Sequence, residues 1–190
     1  MDLFTNEHSV LNAFFRSTPC TIPFILLAIY IFTKNIFILY LILGWIILGY
    51  GGTFILKNII SKPIGNYLAN IYKTEDFPII GRFKRPVGAT NCGCFYVNDT
   101  NYSFTQGMPS GHSILSSFVA VFMYNFIINN FNIKSKYKPF ILFLTLFFIL
   151  YTMYSRVLMN CHTTQQTISG AIIGSICGYY YYLYIINKIK

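Results

Sequence analysis

The chain has 190 residues, 55% hydrophobic and only 10% charged, with a formal net charge of +9 from 14 Lys and Arg against 5 Asp and Glu. A mean hydropathy of +0.54 excludes an ordinary soluble domain, which needs more charge to cover its surface. The basic excess does not point to nucleic acid, because the cations sit in short segments between apolar runs, where anionic lipid or a phosphate substrate accounts for them.

Residues 1–19 carry Leu3, Phe4, Leu11, Phe14 and Phe15 between polar positions, the spacing of an interfacial amphipathic helix, with a disordered tail as the alternative. Asp2 and Glu7, where a signal peptide has a basic region, argue against a cleavable leader. The apolar run Thr21–Thr33 is short for a span of about 20 residues, so it must borrow residues such as Phe14 and Phe15, with Pro19 and Pro23 kinking it, or sit in a thinned bilayer. The next run, Ile36 to Ile60, is long enough to cross; it holds Gly44, Gly51 and Gly52 as close-packing points and Lys57 near its end. A polar segment, 61–107, follows with Pro and Gly breakers and reads as a long active-site loop. It contains two overlapping glycosylation sequons, at Asn98 and Asn101. Three further spans are expected over Ser113–Phe131, Tyr137–Tyr154 and Ile168–Ile186, the last with Gly170, Gly174 and Gly178 on one ridge.

The pattern predicts an all-α fold, a polytopic transmembrane helix bundle of about five to six spans forming a single domain over 1–190. Alternating the spans puts the 61–107 loop and the Arg156–Gln166 segment on one face, and Lys34, Lys134, Lys136, Lys138, Lys188 and Lys190 on the other. The lysine-rich face is then expected to be cytosolic, which turns the loop toward a lumen or the exterior. Cys92-Gly93-Cys94 lacks a second pair at metal spacing, so no metal site is expected. In an oxidising lumen Cys161 can pair with Cys92 or Cys94; otherwise the cysteines stay free.

Two blocks carry chemistry. Gly107-Met108-Pro109-Ser110-Gly111-His112-Ser113 closes the loop and opens an apolar helix. Ser110 is a good N-cap and Gly111 lets backbone approach a ligand, so N-terminal amides and the positive helix end face one point where a phosphate fits. His112 adds a proton donor or acceptor there. The second block is Ser155-Arg156, five residues, then His162.

Together these resemble the membrane-embedded type 2 phosphatidic acid phosphatase superfamily, which has Pro-Ser-Gly-His followed by Ser-Arg-x5-His-x3-Asp. The resemblance extends over roughly Lys57 to Ile186 and implies a metal-independent, cofactor-free phosphatase of lipid phosphates or pyrophosphates, working through a phosphohistidine. It implies His162 as nucleophile, His112 as acid for the leaving group, and Arg156, Arg85, Ser110 and Gly111 as the phosphate cradle. The family's first block, Lys-x6-Arg-Pro, is altered: Arg85-Pro86 fits its end, but Pro78 stands where the lysine belongs. Lys57, or the loop pair Arg82 and Lys84, must supply that charge. Gln166 stands where the family has the aspartate that orients the nucleophile, which offers an acceptor without a charge. Asp76 or Asp99 is the candidate helper from the loop. The partners implied are a lipid phosphate and the bilayer, with oligomeric state open; a lipid head-group phosphotransferase and a catalytically impaired relative that binds lipid phosphate are the alternatives.

Overall fold

The computed structural model describes residues 10–77, 79–89, 92–94 and 105–189. The sequons, His8, Asp99 and the first nine residues lie outside the described residues. Among those described the fold is all-α, without strands. Helix α1 is Val10–Thr33 and α2 is Ile36–Ile46; α2 continues through two π-helical segments, Ile47–Gly52 and Ile55–Ser61, into α3, Lys62–Tyr72. After the loop come α4, Gly111–Asn130, α5, Lys138–Leu158, and α6, Thr164–Ile189.

Residues 10–19 are helical and continuous with the first apolar run, so α1 reaches its length by absorbing Phe14 and Phe15. It ends where Lys34 turns left-handed at φ 51 and Asn35 caps α2 by accepting a hydrogen bond from Phe37 N at 2.9 Å. The polar loop does not start at Ser61, as the sequence pattern has it. Pro63 falls where the second π-helical segment gives way to α3, with Ser61 and Lys62 both right-handed helical, and the helix runs on through it until Lys73 adopts φ 55. The resulting rod, Ile36–Tyr72, spans 37 residues, roughly 55 Å at α-helical rise, against a hydrocarbon layer of about 30 Å. Its last turns therefore project past the apolar layer and carry the loop outward.

The core is the α4–α6 interface. Gly170, Gly174 and Gly178 lie against the backbone of Ser110, Ile114 and Phe118; a Cβ on Gly170 would stand 2.6 Å from Ser110 O and one on Gly178 2.5 Å from Phe118 O. The absence of side chains on that ridge lets the helices meet backbone to backbone. Around it Phe118, Phe122 and Phe126 of α4 and Tyr182 and Ile185 of α6 pack with Leu41 and Trp45 of α2 and Leu26 of α1. Tyr181 Oη donates to Tyr40 O at 2.9 Å, entering where Gly44 leaves room.

The exterior is apolar: Phe24 is 71% and Phe32 88% exposed, with Ile47, Phe140 and Leu150 also outward, a surface that suits lipid rather than water. Four helical stretches, Ala13–Thr33, Ile36–Tyr72, Gly111–Asn130 and Ser135–Leu158, are long and apolar enough to cross a membrane. Helix α6 is 26 residues long but is not among them, since its small residues and the run Tyr179–Tyr182 lower its hydropathy. The starts of α4 and α6 and the end of α5 meet at one end of the bundle, joined by Ser110 N donating to Gln166 O and His162 N to Arg156 O. Helix alternation leaves Lys34, Lys134, Lys136, Lys138 and Lys188 at the other end.

Candidate active site

The α4 end of the site is built by its cap. Ser110 is extended at ψ 115, fully buried, and its Oγ accepts from Ser113 N at 3.4 Å. Its own N–H donates to Gln166 O at 2.9 Å, which ties the turn to the start of α6. Gly111 follows with only Thr53 Cγ2, at 3.9 Å, near its missing Cβ. His112 Nε2 lies 3.2 Å from Arg16 O; a carbonyl can only accept, so Nε2 carries a proton and Nδ1 is the nitrogen left for chemistry. Among the described hydrogen bonds His112 is linked to α1 and not to His162.

Arg156, in the last turn of α5, is fully buried. Its Nη2 donates to Cys92 O at 2.7 Å, while Nε has no hydrogen-bond partner among the described residues. The chain then turns back through Asn160, at φ 52, so that Cys161 N and His162 N donate to Arg156 O at 3.1 and 3.3 Å. That turn presents His162, 2% exposed, between Gln166 and Arg85. Its Nδ1 is 2.9 Å from Gln166 Oε1 and its Nε2 3.2 Å from Arg85 Nη1.

The Gln166 amide can be oriented without ambiguity from its neighbours. Its NH2 group donates to Arg82 O at 2.6 Å and Lys84 O at 2.7 Å, and its oxygen also accepts from Thr163 N at 3.2 Å. The oxygen therefore faces His162, whose Nδ1 must be the protonated nitrogen, leaving the Nε2 lone pair toward Arg85. Burial first, then the charges of Arg85, Lys57 and Arg156, hold the His162 imidazole well below its usual pKa, only partly offset by the Gln166 hydrogen bond. The ring is accordingly neutral at pH 7.

The loop brings the remaining cations. Arg85 Nε donates to Thr105 Oγ1 at 2.9 Å and Nη1 to Cys161 O at 3.1 Å. Two loop segments pair through Arg85 N to Thr105 O and Gly107 N to Phe83 O, at 3.1 and 2.8 Å, around a Lys84–Gln106 bridge. Lys57, in the second π-helical segment, donates to Gln106 O at 3.4 Å; such segments frequently mark functional sites. Glu75 takes both Arg82, at 2.7 Å, and Lys84, and the Lys84 hydrogen bond above all holds its carboxyl below the usual range. Lys57 thus reaches the residue before Gly107, while the loop pair is engaged by an acid. Asp76 sits in a local turn, its N–H donating to Thr74 Oγ1 at 3.1 Å, and is not bonded to His162. Disulfides join Cys92 to Cys161 and Cys20 to Cys94; Cys177 is free. Among the described residues no group of three or more His, Cys, Asp or Glu could hold a metal ion.

Arg16, Cys20 and Thr105 were invisible to motif reasoning. The one signal for Arg16 is a cation inside the run Phe14–Phe15–Arg16 that α1 then buries, at 6% exposure. Beside His112 a cavity of about 250 Å³ opens between α1, the first π-helical segment and α4, lined by Pro19, Trp45, Gly49, Tyr50, Thr53, Gly111 and Leu115 among others.

The described residues form an apolar-faced helix bundle with a buried, neutral histidine against a guanidinium at one end of its helices. The chain belongs to the PAP2 superfamily, whose family model matches residues 37–190, from the start of α2 onward. Membership supports phosphatase activity in a membrane-associated protein. Neither the curated proteins nor the solved structures contain a match to the chain.

Proposed function

We propose that the protein hydrolyses a lipid phosphate or pyrophosphate, of the phosphatidate or polyprenyl type, through a phosphohistidine and without a metal. His162 Nε2 attacks phosphorus; the N–P bond forms, the P–O bond to the leaving group (lipid alcohol or lipid monophosphate) breaks, and the leaving oxygen takes a proton from Nδ1 of a doubly protonated His112, whose Nε2–H stays on Arg16 O. Water then attacks phosphorus, gives its proton to His112, and the N–P bond breaks to release inorganic phosphate. Arg85, Arg156, Lys57, Ser110 and the Gly111 amide hold the phosphoryl oxygens.

The observation that carries this reading is His162, neutral, with Nδ1 held by Gln166 at 2.9 Å and Nε2 beside Arg85 at 3.2 Å. A hydrocarbon tail fits the largely apolar cavity next to His112. Two disulfides at the site end and the lysines at the opposite end support a site on the lumenal or extracytosolic face.

The test is phosphate release by the detergent-purified protein, with EDTA present, from phosphatidate and from a polyprenyl pyrophosphate, beside His162→Ala. The wild type releases phosphate and the variant does not. Lipid binding without release from either substrate would replace this reading with that of a catalytically impaired relative.

A further inference from the structure

Gln166 does more than face a histidine. Both halves of its carboxamide are committed: the oxygen to His162 Nδ1 and Thr163 N, the NH2 group to the carbonyls of Arg82 and Lys84. Those carbonyls are two residues apart, on either side of a bend at Phe83, which brings them close enough for one NH2 group to engage both. The side chain is fully buried. The loop that leads into Ser110 closes over it, since a Cβ on Gly107 would lie 2.6 Å from both Gln166 Nε2 and Oε1.

A carboxylate accepts hydrogen bonds and donates none when ionised. An aspartate or glutamate at this position could orient His162, but it would set negative charge against two buried carbonyl oxygens. The two carbonyls flank Phe83 and end one residue before Arg85, the residue whose Nη1 meets His162 Nε2. The segment that places the guanidinium is therefore held by the same amide that sets the imidazole.

We propose that Gln166 is a positioning residue that couples the two halves of the site, its oxygen fixing the His162 tautomer and its NH2 group registering the Arg82–Arg85 segment so that Arg85 meets the phosphate. The inference rests on the phosphatase reading for its role in turnover. In this chain the amide is a working substitution, and restoring an acid removes a clamp.

The experiment compares full-length wild type, Gln166→Glu and Gln166→Met in detergent. Glu keeps the length and the acceptor; Met keeps the length and neither hydrogen-bonding half. The probes are inorganic phosphate binding, trypsin cleavage after Arg82 and Lys84, and steady-state kinetics. Phosphate affinity is expected to fall about tenfold or more in both variants, as two buried amide–carbonyl bonds are lost. Cleavage after Arg82 and Lys84 is expected to quicken in both, and KM to rise in both, while Glu retains more of kcat than Met. Because a protonated Glu regains a donor, Gln166→Glu alone should recover phosphate affinity and cleavage resistance as pH falls. Wild-type cleavage rates and phosphate affinity in Gln166→Glu at pH 8 would overturn the clamp. If wild type binds phosphate but hydrolyses no lipid, the phosphatase reading fails, while binding and cleavage still decide the clamp.

Discussion

Replacing Gly174 by Ala places a methyl group against rigid backbone. The new Cβ would contact Ile114 O and stand 2.8 Å from Ile114 C and 2.9 Å from Ile114 Cα. No flexible side-chain end is available to swing aside, so α4 and α6 must part by about 1.3 Å at Ile114 O, the nearest atom, to restore an ordinary contact of 3.4 Å. Overpacking of this kind costs about 1–3 kcal/mol, whereas helix propensity alone would favour Ala over Gly by about 1 kcal/mol. The two effects have opposite signs, which makes the substitution decisive. The displacement also reaches the site, because the same interface carries the bond from Ser110 N to Gln166 O at 2.9 Å. Thermal unfolding in detergent, followed by the fluorescence of Trp45, should show a lower Tm with reduced phosphate release. Gly51→Ala, with nothing within 4 Å of its Cβ, serves as the control and should be neutral or stabilising. An unchanged or raised Tm for Gly174→Ala would refute the backbone-contact account of the core.

The depressed pKa of His162 sets two pH effects. The nucleophile stays neutral below its usual value near 6.5, so its acid limb in a kcat/KM profile should lie well below that pH. Below about pH 6.5 the unfolded state binds a proton that the folded ring refuses, so this group lowers stability as pH falls, and a denaturation series across pH 5 to 8 checks the sign. Lys57→Ala should raise KM by about tenfold or more, with a smaller effect from Lys84→Ala, whose ammonium is already engaged by Glu75; equal effects would reassign the first-block charge to the loop. Of the five cysteines only Cys177 is free, so maleimide mass tagging should add one label before reduction and five after. Several labels without reductant would remove the disulfides, and with them part of the support for an extracytosolic site.

The apolar runs and the Pro109–His112 and Ser155–His162 blocks were legible because they depend on local composition and short spacing. Helix length, lipid-facing surface and family follow from such patterns without knowledge of what each segment touches. The glycine ridge at Gly170, Gly174 and Gly178 was likewise readable as a close-packing surface, although not which carbonyls it meets. The end of the second long helix differs from the sequence reading at Ser61, because Pro63 signals a break in sequence but is accommodated where a π-helical segment gives way to α3.

Tertiary structure alone decided the rest. That the Lys57 ammonium donates to Gln106 O, that Cys161 pairs with Cys92 and Cys20 with Cys94, and that Arg16 backs His112 all depend on contacts between residues 49 to 96 positions apart. Gln166 shows why most clearly. In sequence it is an acid's position filled by a group without charge; in the fold its second half finds the carbonyls of Arg82 and Lys84, more than 80 residues away. A residue type states what a side chain can donate and accept, and only the packed chain states which partners stand within about 3 Å of it.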